Sequence, residues 1–308
     1  MKRSVNKAKM HHYVPRSYLA RFADSSGFLH IFDRATQTFR RQRPKEVMKI
    51  NAYYHQKWTP TGIDPNILET TLGEGLEAKA KRAIDRLISE PSQLTDDDTA
   101  NLLTYIEFQR IRVPRQAVAA KELMRAELLR LVSPEAADAI ASDQIKLSIK
   151  DSARFEYMRM VIGNLVPWFG QMEWEVFSAE RGASFITTDS PVSFFNPNFP
   201  PPAEAGIGLI ETMVFFPLSS KHALVMRHPE NSNDSQTSIP KLLPALTHED
   251  GHLAITHGGV LSRDLVDNFN WKLVQLSSSL VVGESAEVLS RCTDAPMQPN
   301  PSAEGRTS

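Results

Sequence analysis

Residues 28–43 read FLHIFDRATQTFRRQR, and the fold turns on how this stretch is taken. Phe28, His30 and Phe32 alternate with Leu29, Ile31 and Asp33, residues 35–38 are a polar link, and Phe39-Arg40-Arg41-Gln42-Arg43 follows. Period-two patterning on both sides of a short turn predicts a β-hairpin. From Asn66 the period lengthens: Leu68, Leu72, Leu76, Ile84 and Ile88 recur at multiples of four, with Leu87 beside them. That spacing predicts an amphipathic helix ending near Glu90-Pro91. Thr95 before Asp96, Asp97 and Asp98 is a helix start, because the hydroxyl caps free amides and the dipole favours acids in the first turn. This second helix is expected to run to Val113-Pro114, with further helix over 115–132 and 144–166 and a break at Ser133-Pro134.

After Pro167 the period shortens again. Residues 172–178 and 184–195 are rich in aromatic and β-branched side chains around Glu180-Arg181-Gly182-Ala183, which predicts a second hairpin. Strands are expected at 213–218, 223–226 and 280–283, a helix capped by Ser262 over 262–276, and loops at 196–206 and 228–238. Hairpin, helices, strands, helix and strand in that order predict an α+β fold rather than alternating βαβ units. The expectation is one domain over residues 1–285, with a helical subregion near 66–167, a mostly antiparallel β-rich subregion near 171–283, and a disordered tail over 293–308.

The 308 residues carry 35 Lys and Arg against 36 Asp and Glu, with 41% hydrophobic content. This is globular composition, and a chain of this length buries a core without staples. Cys292 is the single cysteine, so an intramolecular disulfide is excluded and a cytoplasmic location is expected. No apolar run suggests a signal peptide or a membrane span. The near-neutral total hides an asymmetry: residues 1–60 hold 13 Lys and Arg against 3 Asp and Glu, a net +10. A basic N-terminal region points to nucleic acid as a partner, with Arg40, Arg41, Arg43 and Lys45 its densest run.

His11-His12-Tyr13-Val14-Pro15-Arg16-Ser17-Tyr18-Leu19-Ala20-Arg21-Phe22 resembles the opening signature of a bacterial family known as domain of unknown function 4238. Tyr53-Tyr54, Leu68-Glu69 with Glu77, Gln109 through Arg112 to Pro114, the run 185–191 (FITTDSP) and Phe216-Pro217-Leu218-Ser219 follow in the family's order. The chain departs from that pattern at His11, where Gln is usual, and at Thr188, where Ser commonly precedes the Asp. The resemblance implies no substrate.

His12 lies two residues before Val14-Pro15. Proline restricts its neighbour to extended backbone, which fixes the imidazole's direction and suits a base or a ligand. His11 must point to the other side of an extended chain. Asp189 closes an apolar stretch before Ser190-Pro191, a seat for a base or metal ligand, or else a turn-forming residue bonded to its own backbone. Glu69 and Glu77 lie eight residues apart, about 80° around a helix axis. Glu107, Gln109, Arg110 and Arg112 suggest a polar seam, read as a Glu–Arg network or, with Asp189 and His12, as a carboxylate cluster for Mg²⁺ or Mn²⁺. His248-Glu249-Asp250-Gly251-His252 matches the H-E-x-x-H of zinc peptidases, but Gly251, Pro244 and Gly258-Gly259 deny it the long helix that this chemistry needs. Phosphate-loop, dinucleotide-binding and nucleophile-elbow motifs do not occur.

Together these residues predict a metal-assisted nuclease. His12 and Asp189 are its catalytic pair, Asp189, Glu69 and Glu77 its metal ligands, and Arg16, Arg40, Arg41, Arg43, Gln109 and Arg112 its substrate contacts. The alternative is a non-catalytic module that binds nucleic acid or protein, in which the same residues hold the helices against the hairpins.

Overall fold

A computed structural model describes residues 10–56, 64, 75–229, 253 and 255–294. The fold is α+β, as the element order predicts. A short strand β1 (Met10–His12) leads into a one-turn helix α1 (Arg16–Leu19), then the hairpin β2 (Leu29–Asp33) and β3 (Thr38–Gln42), and β4 (Lys49–Asn51). The helical region holds α2 (Ala78–Ser89), α3 (Asp96–Ile111), α4 (Pro114–Leu131), α5 (Pro134–Ala141), α6 (Ala153–Val161) and α7 (Val166–Gln171). Strands β5 (Glu173–Ala179), β6 (Thr187–Thr188), β7 (Ser193–Phe195), β8 (Met213–Pro217), β9 (His222–Arg227) and β10 (Ile255–Leu261) follow, then α8 (Arg263–Leu276), β11 (Leu280–Gly283) and α9 (Ala286–Asp294).

Among the described residues these strands form a two-stranded ribbon β1-β4, a five-stranded sheet β10-β5-β9-β8-β7 and a four-stranded sheet β3-β2-β11-β6. All pairings are antiparallel except β10 with β5. The five-stranded sheet is covered on both faces, which explains why its central strands read as unbroken apolar runs. Val214, Phe216, Leu224 and Met226 join Trp174 and the helical region in one core. Their neighbours Phe215, Ala223 and Val225 face Val266, Phe269 and Leu273 of α8 in a second.

Local signals hold where the partner is local. The hairpin of residues 28–43 forms in register, with Leu29 opposite Gln42 and Asp33 opposite Thr38. Thr95 caps α3, its hydroxyl accepting from the Asp98 amide, and Ser262 precedes α8. Residues 144–166 prove helical only at α6 and the start of α7. The second hairpin does not form. Residues 184–186 leave β5 because their backbone groups are satisfied elsewhere: Asn270 of α8 accepts from the Ile186 amide at 3.0 Å and donates to the Ser184 carbonyl at 2.8 Å. The Phe185 amide donates to the Ser220 carbonyl at 2.9 Å. The chain then enters the four-stranded sheet as β6 and returns to the five-stranded one as β7. Of the expected disordered tail over 293–308, residues 293 and 294 are the last turn of α9, whose Val288, Leu289 and Cys292 are buried, and residues 295–308 lie outside the described residues. Trp174 and Phe169 are core residues.

Tyr18 of α1 ties the N-terminal segment to both larger sheets. Its hydroxyl donates to the Pro217 carbonyl at 2.7 Å and shares a hydrogen bond with Thr187 Oγ1 at 2.9 Å, and its ring stacks on Phe216 with centroids 5.5 Å apart. Removing that hydroxyl leaves two buried groups unpaired. Tyr18→Phe is expected to lower unfolding free energy by about 1–3 kcal/mol, read as a shifted urea midpoint.

Candidate active site

The ribbon β1-β4 decides which histidine faces what. In its register His12 stands opposite Lys49 and His11 opposite Ile50, so the two imidazoles lie on opposite faces of the ribbon. His11 is the fully buried one. Its Nδ1 accepts from the Tyr54 amide at 2.8 Å, which puts the proton of the neutral ring on Nε2, and its ring stacks against Tyr54. His12 is half-buried, with the Lys45 backbone carbonyl beside its ring, and its buried Nε2 has no partner among the described residues. With the Lys45 carbonyl taken as the acceptor of Nδ1–H, the lone pair of the neutral ring falls on Nε2. Burial holds the His12 pKa below the ordinary value of about 6.5, with Lys49 and Arg16 pushing the same way and the Lys45 carbonyl and Glu77 opposing.

Glu77 connects this imidazole to a buried cation. Arg112, 2% exposed at the end of α3, donates through Nη1 to Glu77 Oε1 at 3.0 Å and through Nε to Gln109 Oε1 at 3.1 Å. Gln109 in turn donates to the Tyr105 hydroxyl at 3.0 Å. The Arg112 carbonyl accepts from the Tyr53 hydroxyl at 2.9 Å, which fixes the helix end to the loop after β4. Burial opposes the Arg112 charge, but Tyr54 and Glu77 hold it on and its pKa rises. Arg112 Nη2 is buried and makes no hydrogen bond to a described residue. A second buried guanidinium, Arg154, lies 3.9 Å over the Tyr53 ring and donates to the Tyr53 carbonyl.

Asp189 does not hydrogen-bond its own local backbone through its side chain. Its carboxylate, 5% exposed, accepts from the amides of Ser278 at 2.9 Å, Ser279 at 2.7 Å and Leu280 at 3.1 Å. It thereby holds the turn from α8 into β11. Burial raises its pKa against the pull of these three amides. The local turn is made by Thr188 instead, whose Oγ1 donates to the Ser190 carbonyl and accepts from the Ser190 amide. The N-terminal motif reaches Asp189 through Tyr13, whose phenol is pushed above its ordinary range by burial and then by Asp189 and Tyr53.

The remaining site residues divide between surface and interior. Arg40 is paired with Asp33 at 3.0 Å and Arg41 with Asp24 at 2.6 Å. The Phe28 amide and Arg41 together hold the Asp24 carboxyl down at about 2. Arg43 and Arg41 lie over the Phe28 ring at 4.7 and 4.3 Å from its centroid, and Arg16 is exposed near His12. Gln109 and Arg112 are interior hydrogen-bonding groups rather than surface contacts. The Glu–Arg seam between α2 and α3 is the Arg112–Glu77 pair, while Glu107 and Arg110 find their partners elsewhere. Glu107 accepts from the amides of Gly163 and Leu165, each at 2.8 Å, holding a turn in which Gly163 has φ +86°. Arg110 binds Glu204 bidentately at 2.8 and 2.7 Å.

Glu69 and the segment His248-Glu249-Asp250-Gly251-His252 lie outside the described residues. Of the carboxylates expected to hold a metal, Asp189 is filled by amides and Glu77 is bonded to Arg112. Among the described residues no group of three or more His, Cys, Asp or Glu could hold an ion. The described donors do not fit Mg²⁺ or Mn²⁺, which need several free oxygen ligands. Sequence reasoning missed Tyr13 and Lys49, although Lys49 would follow from pairing β1 with β4. No described helix is long and apolar enough to cross a membrane.

The fold and its buried polar centre define an α+β protein organised around an N-terminal His-His-Tyr motif. The chain belongs to the family described as protein of unknown function (DUF4238), which matches residues 10–287. No curated protein and no solved structure matches it.

Because three backbone amides depend on the Asp189 carboxylate, Asp189→Asn must turn an NH₂ towards one of them. The substitution is expected to cost about 2 kcal/mol or more of unfolding free energy. Urea unfolding checks this, and an unchanged midpoint would show that the charge is kept for something other than the turn.

Proposed function

We propose that the protein is a hydrolase that cleaves phosphodiester bonds in RNA or DNA, with His12 as its general base. The observation that carries this reading is the bare Nε2 of a histidine kept neutral beside cations. A neutral imidazole whose other nitrogen is pinned by a carbonyl is prepared to take one proton in a fixed direction. Lys49 and Arg16 supply positive charge on the same side, which suits an anionic substrate. In this scheme substrate binding uncovers the buried His12 Nε2; water attacks phosphorus as its proton passes to that nitrogen, the phosphorus–oxygen bond to the leaving group breaks, and the departing oxygen takes a proton from solvent. Glu77, held by Arg112, stabilises the imidazolium that forms. No step is routed through a metal. A cytoplasmic location belongs to the same reading and rests on the single, buried Cys292.

The satisfied Asp189 and the locally paired Arg40 and Arg41 favour a second reading, a module that binds nucleic acid or protein without turning it over.

Purified protein incubated with RNA or DNA in the presence of Mg²⁺, Mn²⁺ or EDTA separates the two. The hydrolase reading expects cleavage that survives EDTA and is lost in folded His12→Ala. Salt-sensitive binding without cleavage would favour the module. Since the neutral imidazole is the active form and its pKa is lowered, the rate is expected to climb with pH through an inflection below 6.5. Lys49→Gln removes a cation that disfavours the protonated ring, so that inflection should move upward.

A further inference from the structure

Away from His12, a cavity of about 800 Å³ opens between the first turns of α4, Phe194 of β7 and the loop at residues 204–207. This is the size range of small-molecule sites. Its walls are mainly apolar, with Phe194, Leu165, Ile207, Val118 and Ala119 among them. Its charges are balanced. Glu204 carries both Arg110, bidentate at 2.8 and 2.7 Å, and Arg115, at 3.6 Å, and burial of Glu204 is outweighed by these two cations, which hold its pKa below the ordinary value. Arg115 also donates to the carbonyls of Pro202 and Leu276, and Arg110 lies 4.2 Å over the Phe194 ring. The guanidiniums are thus held by the protein itself, and Glu122 adds a negative charge to the lining.

Gln116 is the group left over. It is 8% exposed and lines the cavity, yet its carboxamide makes no hydrogen bond to a described residue; the bond from its backbone amide to the Val113 carbonyl belongs to the helix start. Its amide oxygen and nitrogen open to the cavity rather than being sealed from it, so a ligand that displaces water there has to pair with them. The carboxamide presents a donor and an acceptor side by side, which matches the edge of a nucleobase where a ring nitrogen adjoins an amino or carbonyl group. Balanced charge and the Glu122 carboxylate favour a neutral ligand over a polyphosphate.

We propose that this cavity is a binding site for a neutral nucleoside, its base edge hydrogen-bonded to Gln116 and its ring lying against the apolar wall. The site is distinct from the His12 centre, and its existence does not depend on the hydrolase reading. Calorimetric titration of the full chain with adenosine, guanosine, cytidine and uridine tests it, beside the triphosphate of whichever nucleoside binds. At least one nucleoside should bind, and more tightly than its triphosphate. Gln116→Leu should weaken it by about tenfold, the loss of one or two hydrogen bonds. Ala119→Phe, a change at an exposed wall position, should fill the cavity and abolish binding without altering the melting temperature. His12→Ala should bind as the unmodified protein does. Absence of binding by all four nucleosides, binding that survives Ala119→Phe, or binding lost in His12→Ala would each overturn the proposal.

Discussion

A guanidinium taken out of water has to be matched inside the protein, and the burial of Arg112 is the constraint around which the candidate site is arranged. Its cost is large unless charge and hydrogen bonds are supplied. Glu77 supplies the charge, Gln109 an acceptor oxygen, and the tyrosines around them a largely buried polar surround. These partners come from the turn before α2, from α3 and from the loop after β4, so the ion pair fixes where three separate segments meet. His12 enters the same field from β1. Its proton affinity is set by its burial, by Lys49 across the ribbon and by the carboxylate that Arg112 holds in place.

The surrounding architecture keeps that meeting point rigid. The five-stranded sheet is packed on one face by the helices and the N-terminal segment and on the other by α8, which makes it the common floor of both cores. Asp189 contributes from the far side: by gathering three amides at the end of α8 it aims β11 between β2 and β6. Tyr18 then spans from α1 to residues of β6 and β8. The His-Tyr-Val-Pro segment and the Thr-Asp-Ser-Pro segment are therefore neighbours through Tyr13 and Tyr18.

What could be read from the sequence follows sequence distance. The 28–43 hairpin, the Thr95 cap and the helix after Ser262 rest on residues a few positions apart, and all three were legible. The path of residues 184–186 was not, since its decisive partner, Asn270, lies 84 residues from Ile186 and carries no pattern of its own. The same holds for Asp189, whose acceptor role needs amides about 90 residues on, and for Arg110, whose Glu204 is 94 away. Alternation along an extended strand put His11 and His12 on opposite sides. Which side faced the interior depended on β4, and the register His12–Lys49 supplied it. Arg40 and Arg41 read as free cations because Asp33 and Asp24, though near in sequence, pair with them only once the hairpin is closed.

The account rests on His12 being a neutral imidazole with its proton on Nδ1 and a bare Nε2. Nitrogen-15 NMR of the histidine rings across a pH titration, with His12→Gln to assign the signal, reads both properties in the folded protein. The account predicts an Nδ1–H tautomer at pH 7 and protonation with a midpoint below 6.5. An Nε2–H tautomer, or a midpoint above that of a free imidazole, would contradict it.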